Sequence, residues 1–514
     1  MLTNPSAPTS LAAGRIQHAG LRAKLMTAEQ AAALIQPGWN VGMSGFTGAG
    51  YPKAVPLALA HHIEAAHARG DKFRIGLWTG ASTAPELDGA LAKVDGIDMR
   101  LPYQSDPTVR AQINSGHMQY VDIHLSHVAQ FVWFGFLGHL NVAVIEVAGV
   151  LPDGRLIPST SVGNNKTWIE QADYVILEVN RRQSAALEGF HDVYYGAALP
   201  PHRKPIPLET ADQRIGEPYL RCDPAKVIAV VDTDAPDRNS VFTPPDAQSA
   251  AIAQHIIDFL QHEVAQGRLP KSLLPLQSGV GNIANAVLAG LNRGPFAGLT
   301  AYTEVLQDGM LDMLRSGTLQ SASCTALSLS PAAADYFNAH IDDFRGRILI
   351  RPQEISNHPE LIRRMGVLAM NAMIEADIYG NVNSTHLMGS AIMNGIGGSG
   401  DFARNAYISM FMTPSIAKDG SISCIVPMAS HVDHTEHDVQ VIVTEQGLAD
   451  LRGLAPQQRA RRIIDTCAHP TYRDALHDYL ARARLQANGQ HTPHVLTDAL
   501  SWHERYLRTG TMLP

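Results

Sequence analysis

Residues 276–291 read LQSGVGNIANAVLAGL, and this stretch decides the fold. It reads as a short strand, a Ser-Gly step, a glycine turn at Gly279 and Gly281, and then an amphipathic helix. Residues 42–59, GMSGFTGAGYPKAVPLAL, give the same order: strand, Ser-Gly, glycine turn, helix. Each copy is followed by a further strand that ends near polar residues, FRIGLWTGAST in the first case and LTAYTEVLQD in the second. A repeat on this scale predicts two related α/β halves.

The rest of the chain agrees. NVAVIEVA (141–148) and YVILEVN (174–180) are nearly continuous apolar runs, as expected for parallel strands covered on both faces. Strands that alternate with helical segments favour α/β architecture with largely parallel sheets. The stretch ALPPHRKPIPLET (198–210) is rich in proline, which continues neither a helix nor a central strand. After it the pattern restarts at KVIAVVD (226–232), and SAAIAQHIIDFLQHEV places Ile252, Ile256, Phe259 and Leu260 on one helical face. We therefore expect an N-terminal α/β domain over 1–220 and a C-terminal one over 221–514.

Composition narrows the function. The 514 residues are 45% hydrophobic and 17% charged, with a net charge of −8, which argues against a nucleic-acid binder with its basic stripe. No apolar run reaches the roughly 18 residues of a membrane span. The segment before Glu29 carries Arg15, Arg22 and Lys24 and no acid; it reads as a short arm, faintly like a transit peptide and without a signal-peptide core. Cys222, Cys324, Cys424 and Cys467 are scattered and form no CxxC pair, so a reducing compartment, no disulfide framework and no structural zinc are expected.

Several stretches carry chemistry. Gly279 and Gly281 would let backbone N–H groups face an anion at a helix N-terminus, although Ala284 stands where a dinucleotide fingerprint has its third glycine. The loop NGIGGSGDFARNA (394–406) is so poor in side chains that it either approaches a ligand or is a flexible connection, and it is read as leading into the strand AYISMFM. HVDHTEHD (431–438) offers His431, His434 and His437, but with no HExxH pattern and with a strand directly after it. A structural or site-rim network is the expected role there, and no metal is expected. The remaining polar candidates are Glu304, Asn357, Asn381 and Asn383. A strand through LTAYTEVLQDGML (299–311) would place Glu304 on the face of Tyr302, a costly position for a charge that is neither paired nor used. A lone carboxylate beside amide and glycine donors suits covalent carboxylate catalysis; a buried Glu paired with an Arg or His is the alternative.

Taken together, GVGNIANAV, YTEVLQDG, DIYGNVNSTH, GGSGDFARNAY, HVDHTEHDVQVIVTEQGLADLRG and CAHPTYRDAL resemble the acetyl-CoA hydrolase/transferase family, in order, from about residue 25 to 490. The resemblance implies two similar open α/β domains of the CoA-transferase type with the active site between them. It implies Glu304 as nucleophile, with Asn357 and the N–H of Gly398 as oxyanion donors. Coenzyme A would be held by Gly279, Val280, Gly281, Asn282, Ile283, Asn394, Gly398 and Lys418, and the carboxylate substrate would lie near Arg238. Ser82 and Ser105 receive no catalytic role.

The activity expected is CoA transfer between small carboxylates, of the succinyl-CoA:acetate or propionyl-CoA:succinate type. No cofactor would be tightly bound, and a cytoplasmic homodimer is the family expectation. An acyl-CoA hydrolase, a nicotinamide-dependent oxidoreductase and a non-catalytic acyl-CoA-binding protein are the alternatives.

Overall fold

Short strands of the N-terminal half line up side by side in one sheet. In a computed structural model, which describes residues 14–238 and 244–513, β1 (Asn40–Met43) pairs in parallel with β2 (Ile75–Trp78), which pairs with β3 (Ile97–Leu101) and then β4 (Gln119–Tyr120). On its other side β1 pairs with β5 (Val142–Val150), and the sheet continues through β7 (Tyr174–Asn180) to β8 (Val227–Thr233). The order is therefore β4-β3-β2-β1-β5-β7-β8, all parallel, with β6 (Leu156–Pro158) antiparallel to β5. Every residue of β5 is buried, as its nearly continuous apolar sequence, broken only by Glu146, requires of a central strand. The helix Ala54–Ala68 packs Val55, Leu59, Ile63 and Ala66 inward, a stripe of helical period.

The C-terminal half repeats this plan. β9 (Leu276–Ser278) pairs on one side with β10 (Leu299–Tyr302), then β11 (Leu319–Cys324). On the other side it pairs with β12 (Leu368–Ala372), then β13 (Ile408–Met412) and β14 (Val441–Thr444), again all parallel. β15 (Gly447–Asp450) turns back antiparallel on β14. The order β11-β10-β9-β12-β13-β14 is the order β3-β2-β1-β5-β7-β8 in another segment of chain. This bears out the duplication expected from the two Ser-Gly turns and the expected open α/β fold class. In each half the strand order reverses beside the strand that ends in Ser-Gly. Such a reversal opens a crevice at the carboxyl ends of the strands, where ligands bind in open α/β sheets.

The described residues form two compact units. One draws on segments within Met1–Pro207, Arg214–Ser240 and Thr325–Ile355, and the other on segments within Leu208–Gln213, Val241–Cys324 and Ser356–Pro514. The first takes in Thr325–Ile355 through buried polar contacts: the Gly163 N–H donates to the Thr325 hydroxyl, and Arg351 pairs with Asp192.

Two local readings change. Glu304 is not within the strand pleat: β10 ends at Tyr302, and Glu304 sits in the break before Val305–Leu306. The charge thus stands at a strand end, where it can face a crevice instead of the sheet core. The glycine loop after Asn394 does not run straight into a strand; a short helix, Ser399–Asn405, intervenes before β13. The four cysteines are free, and among the described residues no helix is long and apolar enough to cross a membrane.

Candidate active site

The break after β10 turns the Glu304 side chain toward residues from two other segments, Asn357 and Gly398. Asn357, in the turn between Gln353–Ser356 and Pro359–Met365, donates from Nδ2 to Glu304 Oε1 at 2.6 Å. Its amide orientation is set by its neighbour: the Ser356 hydroxyl donates to Asn357 Oδ1 at 2.9 Å, so the NH2 end must face Glu304. Asp401 Oδ2 lies 3.5 Å from the same Nδ2 and steadies it.

Gly398 closes the third side. Its backbone has an ordinary φ of −94°, so glycine is not required there for conformation. It is required for space: a Cβ at this position would collide with the Glu304 carboxylate and with the Asn357 amide. Among the described residues the N–H of Gly398 donates to no partner, although the residue is buried. A buried N–H without a partner costs free energy unless a ligand uses it.

Glu304 is half-buried, and among the described residues no cation pairs with it. Burial pushes its carboxyl up to about 7, with the Asn357 hydrogen bond pulling the other way. A carboxylate whose pKa is raised by burial, beside one amide donor and with no cation, has the character of a functional group that titrates near working pH.

The glycine turn of the opening stretch lies at the carboxyl end of the neighbouring strand, β9. Gly281 takes φ +115° and ψ −178°, a conformation in practice reserved for glycine. It leads into the helix Asn282–Arg293, where Gly281 at the N-cap offers no side-chain cap, and a helix N-terminus favours an anion. The turn is braced from below. Gly279 donates to Met370 O at 2.9 Å, and Gln307 Nε2 donates to Gly279 O at 2.7 Å. Gln307 and Ser356 were missed as supporting residues; Gln307 lies three positions after Glu304 in the same motif, the one signal that could have found it.

Glu304, Asn357 and Gly398 thus meet directly, and Gly279–Ile283 follows directly on β9, the strand adjoining β10. Asn394 is half-buried, four residues before Gly398 in the same loop. Lys418 is exposed at the tip of the hairpin Ile416–Ala417/Ile422–Ser423 and has no ion-pair partner among the described residues. Arg238 belongs to the other unit and pairs there with Glu86.

The histidine-rich segment divides by role. His434 Nε2 lies 3.1 Å from the Ser399 hydroxyl and 3.3 Å from the Ser384 hydroxyl, so it braces the residue next to Gly398. His431 and Asp433 gather instead with His386, which the sequence did not link to them. The His386 and His431 rings stack with centroids 3.8 Å apart at 31°. One possible ligand atom from each of His386, His431 and Asp433 lies within 4.8 Å of the others. The Asp433 carboxylate is taken up by the Ser384 N–H at 2.7 Å and the Thr385 hydroxyl at 2.8 Å. The cluster ties the DIYGNVNSTH loop to the segment before β14.

Comparison with known proteins decides the kinship. The acetyl-CoA hydrolase/transferase N-terminal domain matches residues 13–232, and the C-terminal domain of the same name matches residues 335–480. The chain is 49% identical over 498 residues to the succinyl-CoA:acetate CoA-transferase of Clostridium kluyveri, covering 97% of this chain and 92% of that protein. The chain belongs to the acetyl-CoA hydrolase/transferase family.

Other members are nearly as similar. The propanoyl-CoA:succinate CoA transferase of Escherichia coli is 47% identical over 95% of this chain and 98% of its own. The acetyl-CoA hydrolase of Schizosaccharomyces pombe is 44% identical over 98% of this chain and 99% of its own. Homologues of this kind are CoA-transferases and acetyl-CoA hydrolases, and this family member is an enzyme of that kind. The fold recurs in solved structures. RipA from Yersinia pestis superposes with a TM-score of 0.71 at 24% identity over 92% of this chain and 99% of that one. A 4-hydroxybutyrate CoA-transferase from Porphyromonas gingivalis superposes at 0.61, with 22% identity over 90% of this chain and 98% of that one.

Proposed function

We propose that the protein is a CoA-transferase that moves coenzyme A between small carboxylic acids, with succinyl-CoA:acetate and propionyl-CoA:succinate as the leading substrate pairs. One observation carries the reading. Glu304, free of any cation among the described residues and with its carboxyl pushed up to about 7, is held against the Asn357 amide and against the side of Gly398 where a Cβ would stand, and the Gly398 N–H has no partner among the described residues.

The chemistry follows from that arrangement. The Glu304 carboxylate attacks the thioester carbonyl of an acyl-CoA, and the Asn357 Nδ2–H and Gly398 N–H take the charge that develops on oxygen. Removal of one such donor typically costs ~3–4 kcal/mol in the transition state. Collapse expels CoA thiolate and leaves an acyl-glutamyl anhydride. The thiolate then attacks the glutamyl carbonyl, releasing the first carboxylate and forming a glutamyl-CoA thioester. A second carboxylate attacks that thioester and reverses the sequence. Thioester energy is conserved throughout, so neither ATP nor a metal is called for. Gly279–Ile283, Asn394, Gly398 and Lys418 would hold coenzyme A, and Arg238 would meet the carboxylate. The reading carries with it a cytoplasmic homodimer.

Hydrolysis is the second reading, favoured by relatives such as the Schizosaccharomyces pombe enzyme that are named acetyl-CoA hydrolases. It is the same chemistry with water resolving the anhydride or thioester. Incubation with acyl-CoA and no acceptor, then borohydride reduction and peptide mapping, tests the mechanism. A reduced residue at position 304 is expected, and modification elsewhere would refute the assignment. Added carboxylate separates the two readings: a transferase makes acceptor-CoA faster than it loses thioester.

A further inference from the structure

We propose that Glu86 is a positioning residue for the carboxylate substrate, acting by holding the Arg238 guanidinium in the orientation that receives it. The inference rests on the CoA-transferase reading above and adds a residue that neither sequence motif nor resemblance singled out.

Arg238 is fixed at its base. The preceding residue, Asp237, accepts hydrogen bonds from Lys53 Nζ at 2.6 Å, from Gly50 N–H at 3.1 Å, from Gln183 Nε2 at 3.1 Å and from the Thr160 hydroxyl. Two residues earlier, Ala235 O accepts from Asn180 Nδ2 at 2.8 Å. The backbone that leaves β8 therefore reaches Arg238 along a defined path.

The side chain is then fixed at its tip. Arg238 Nε lies 2.5 Å from Glu86 Oε1, the one ion-pair partner of Arg238 among the described residues. Glu86 sits in the first turn of the one-turn helix Pro85–Gly89, and the buried Tyr51 hydroxyl lies 3.4 Å from its other oxygen. The carboxylate side chain is 20% exposed while the arginine side chain is 66% exposed. An anchored acid thus holds an accessible cation.

The chemistry of the fork gives this contact its use. A guanidinium offers one donor edge that includes Nε and a second edge of two terminal nitrogens, and a carboxylate fits such an edge in bidentate fashion. Glu86 engages Nε, which leaves the terminal edge for a substrate carboxylate. An ion pair this exposed adds little to stability, so its contribution is orientation.

The test uses the full chain with Glu86→Gln and Glu86→Asp, assayed by two-substrate kinetics with acetyl-CoA and succinate. The Gln variant should raise the succinate KM about tenfold, in keeping with one lost charge-assisted contact. It should leave the acetyl-CoA KM and the thermal midpoint unchanged, and Glu86→Asp should recover part of the loss. An unchanged succinate KM, or a parallel rise in both KM values, overturns the assignment. So does a lowered succinate KM, which would make Glu86 a rival for the arginine. If the wild-type protein transfers no CoA, the CoA-transferase reading itself fails. If it transfers CoA and Glu86→Gln is silent, only the role of Glu86 fails.

Discussion

Gly398 and Glu304 stand so close that no side chain fits between them: a Cβ on Gly398 would take the space of the Glu304 carboxylate. The proposed nucleophile and the loop proposed to carry an oxyanion donor are thus set against each other by steric contact. Gly398→Ala needs no unusual backbone angle, so the fold should survive while Glu304 is pushed aside. Misplacement on the scale of 1 Å costs about 100-fold in rate. We expect kcat to fall by at least that factor with an unchanged circular dichroism spectrum; near-normal turnover would separate Gly398 from the reaction.

Asn357 should be equally sensitive. Asn357→Ala removes one donor, and a loss of roughly 100- to 1,000-fold in kcat is expected. Asn357→Asp is the sharper probe, since it sets a like charge against Glu304 and would raise the Glu304 pKa further. The acid limb of the rate profile should then move to higher pH.

The pH dependence has a definite sign. In the proposed mechanism only ionised Glu304 attacks, and burial pushes its carboxyl up to about 7. kcat/KM should fall below about pH 7 with the slope of a single proton. Stability runs the other way. The folded pKa exceeds the ordinary value of 4.5, so between the two the native state holds a proton that the unfolded chain has lost. Stability contributed by this group therefore falls as pH rises through that window and levels off above it, by about 3 kcal/mol at most. Glu304→Gln should remove this component, so the variant gains on the wild type from pH 4.5 to 7. A constant difference in denaturation midpoint across that range would contradict the burial of the charge.

Gly281→Ala tests the glycine turn. Its φ of +115° with extended ψ costs a non-glycine residue about 1–3 kcal/mol, while a Cβ there would meet nothing within 4 Å. Strain without collision should distort the turn locally. The acyl-CoA KM is expected to rise while the carboxylate KM stays put; the reverse pattern would move coenzyme A away from this turn.

In the first unit, Lys53 Nζ bridges Glu146 at 2.5 Å and Asp237 at 2.6 Å, with Lys53 and Glu146 buried. Burial pushes the Glu146 carboxyl up to about 7 even with the lysine beside it. Lys53→Met would strand two acids and should cost about 3–5 kcal/mol, measured as a lowered denaturant midpoint. A loss near zero would mean that the acids simply protonate.

Much of this was legible in the chain itself. The alternation of apolar runs and helical stripes set the α/β class, because periodicity reports which face of each element is buried. The two Ser-Gly turns announced the duplication, because each closes a strand that is followed by a glycine turn and a helix. Glu304 stood out because an isolated acid in an apolar run demands an explanation. What the chain did not disclose was which distant segments would meet it. That Asn357 meets Glu304, that Gly398 is excluded from any larger side chain by Glu304, that His386 joins His431 across the fold, and that Glu86 holds Arg238 are facts of packing. They depend on residues brought together from tens to well over a hundred positions apart, and local propensity carries no information about such encounters.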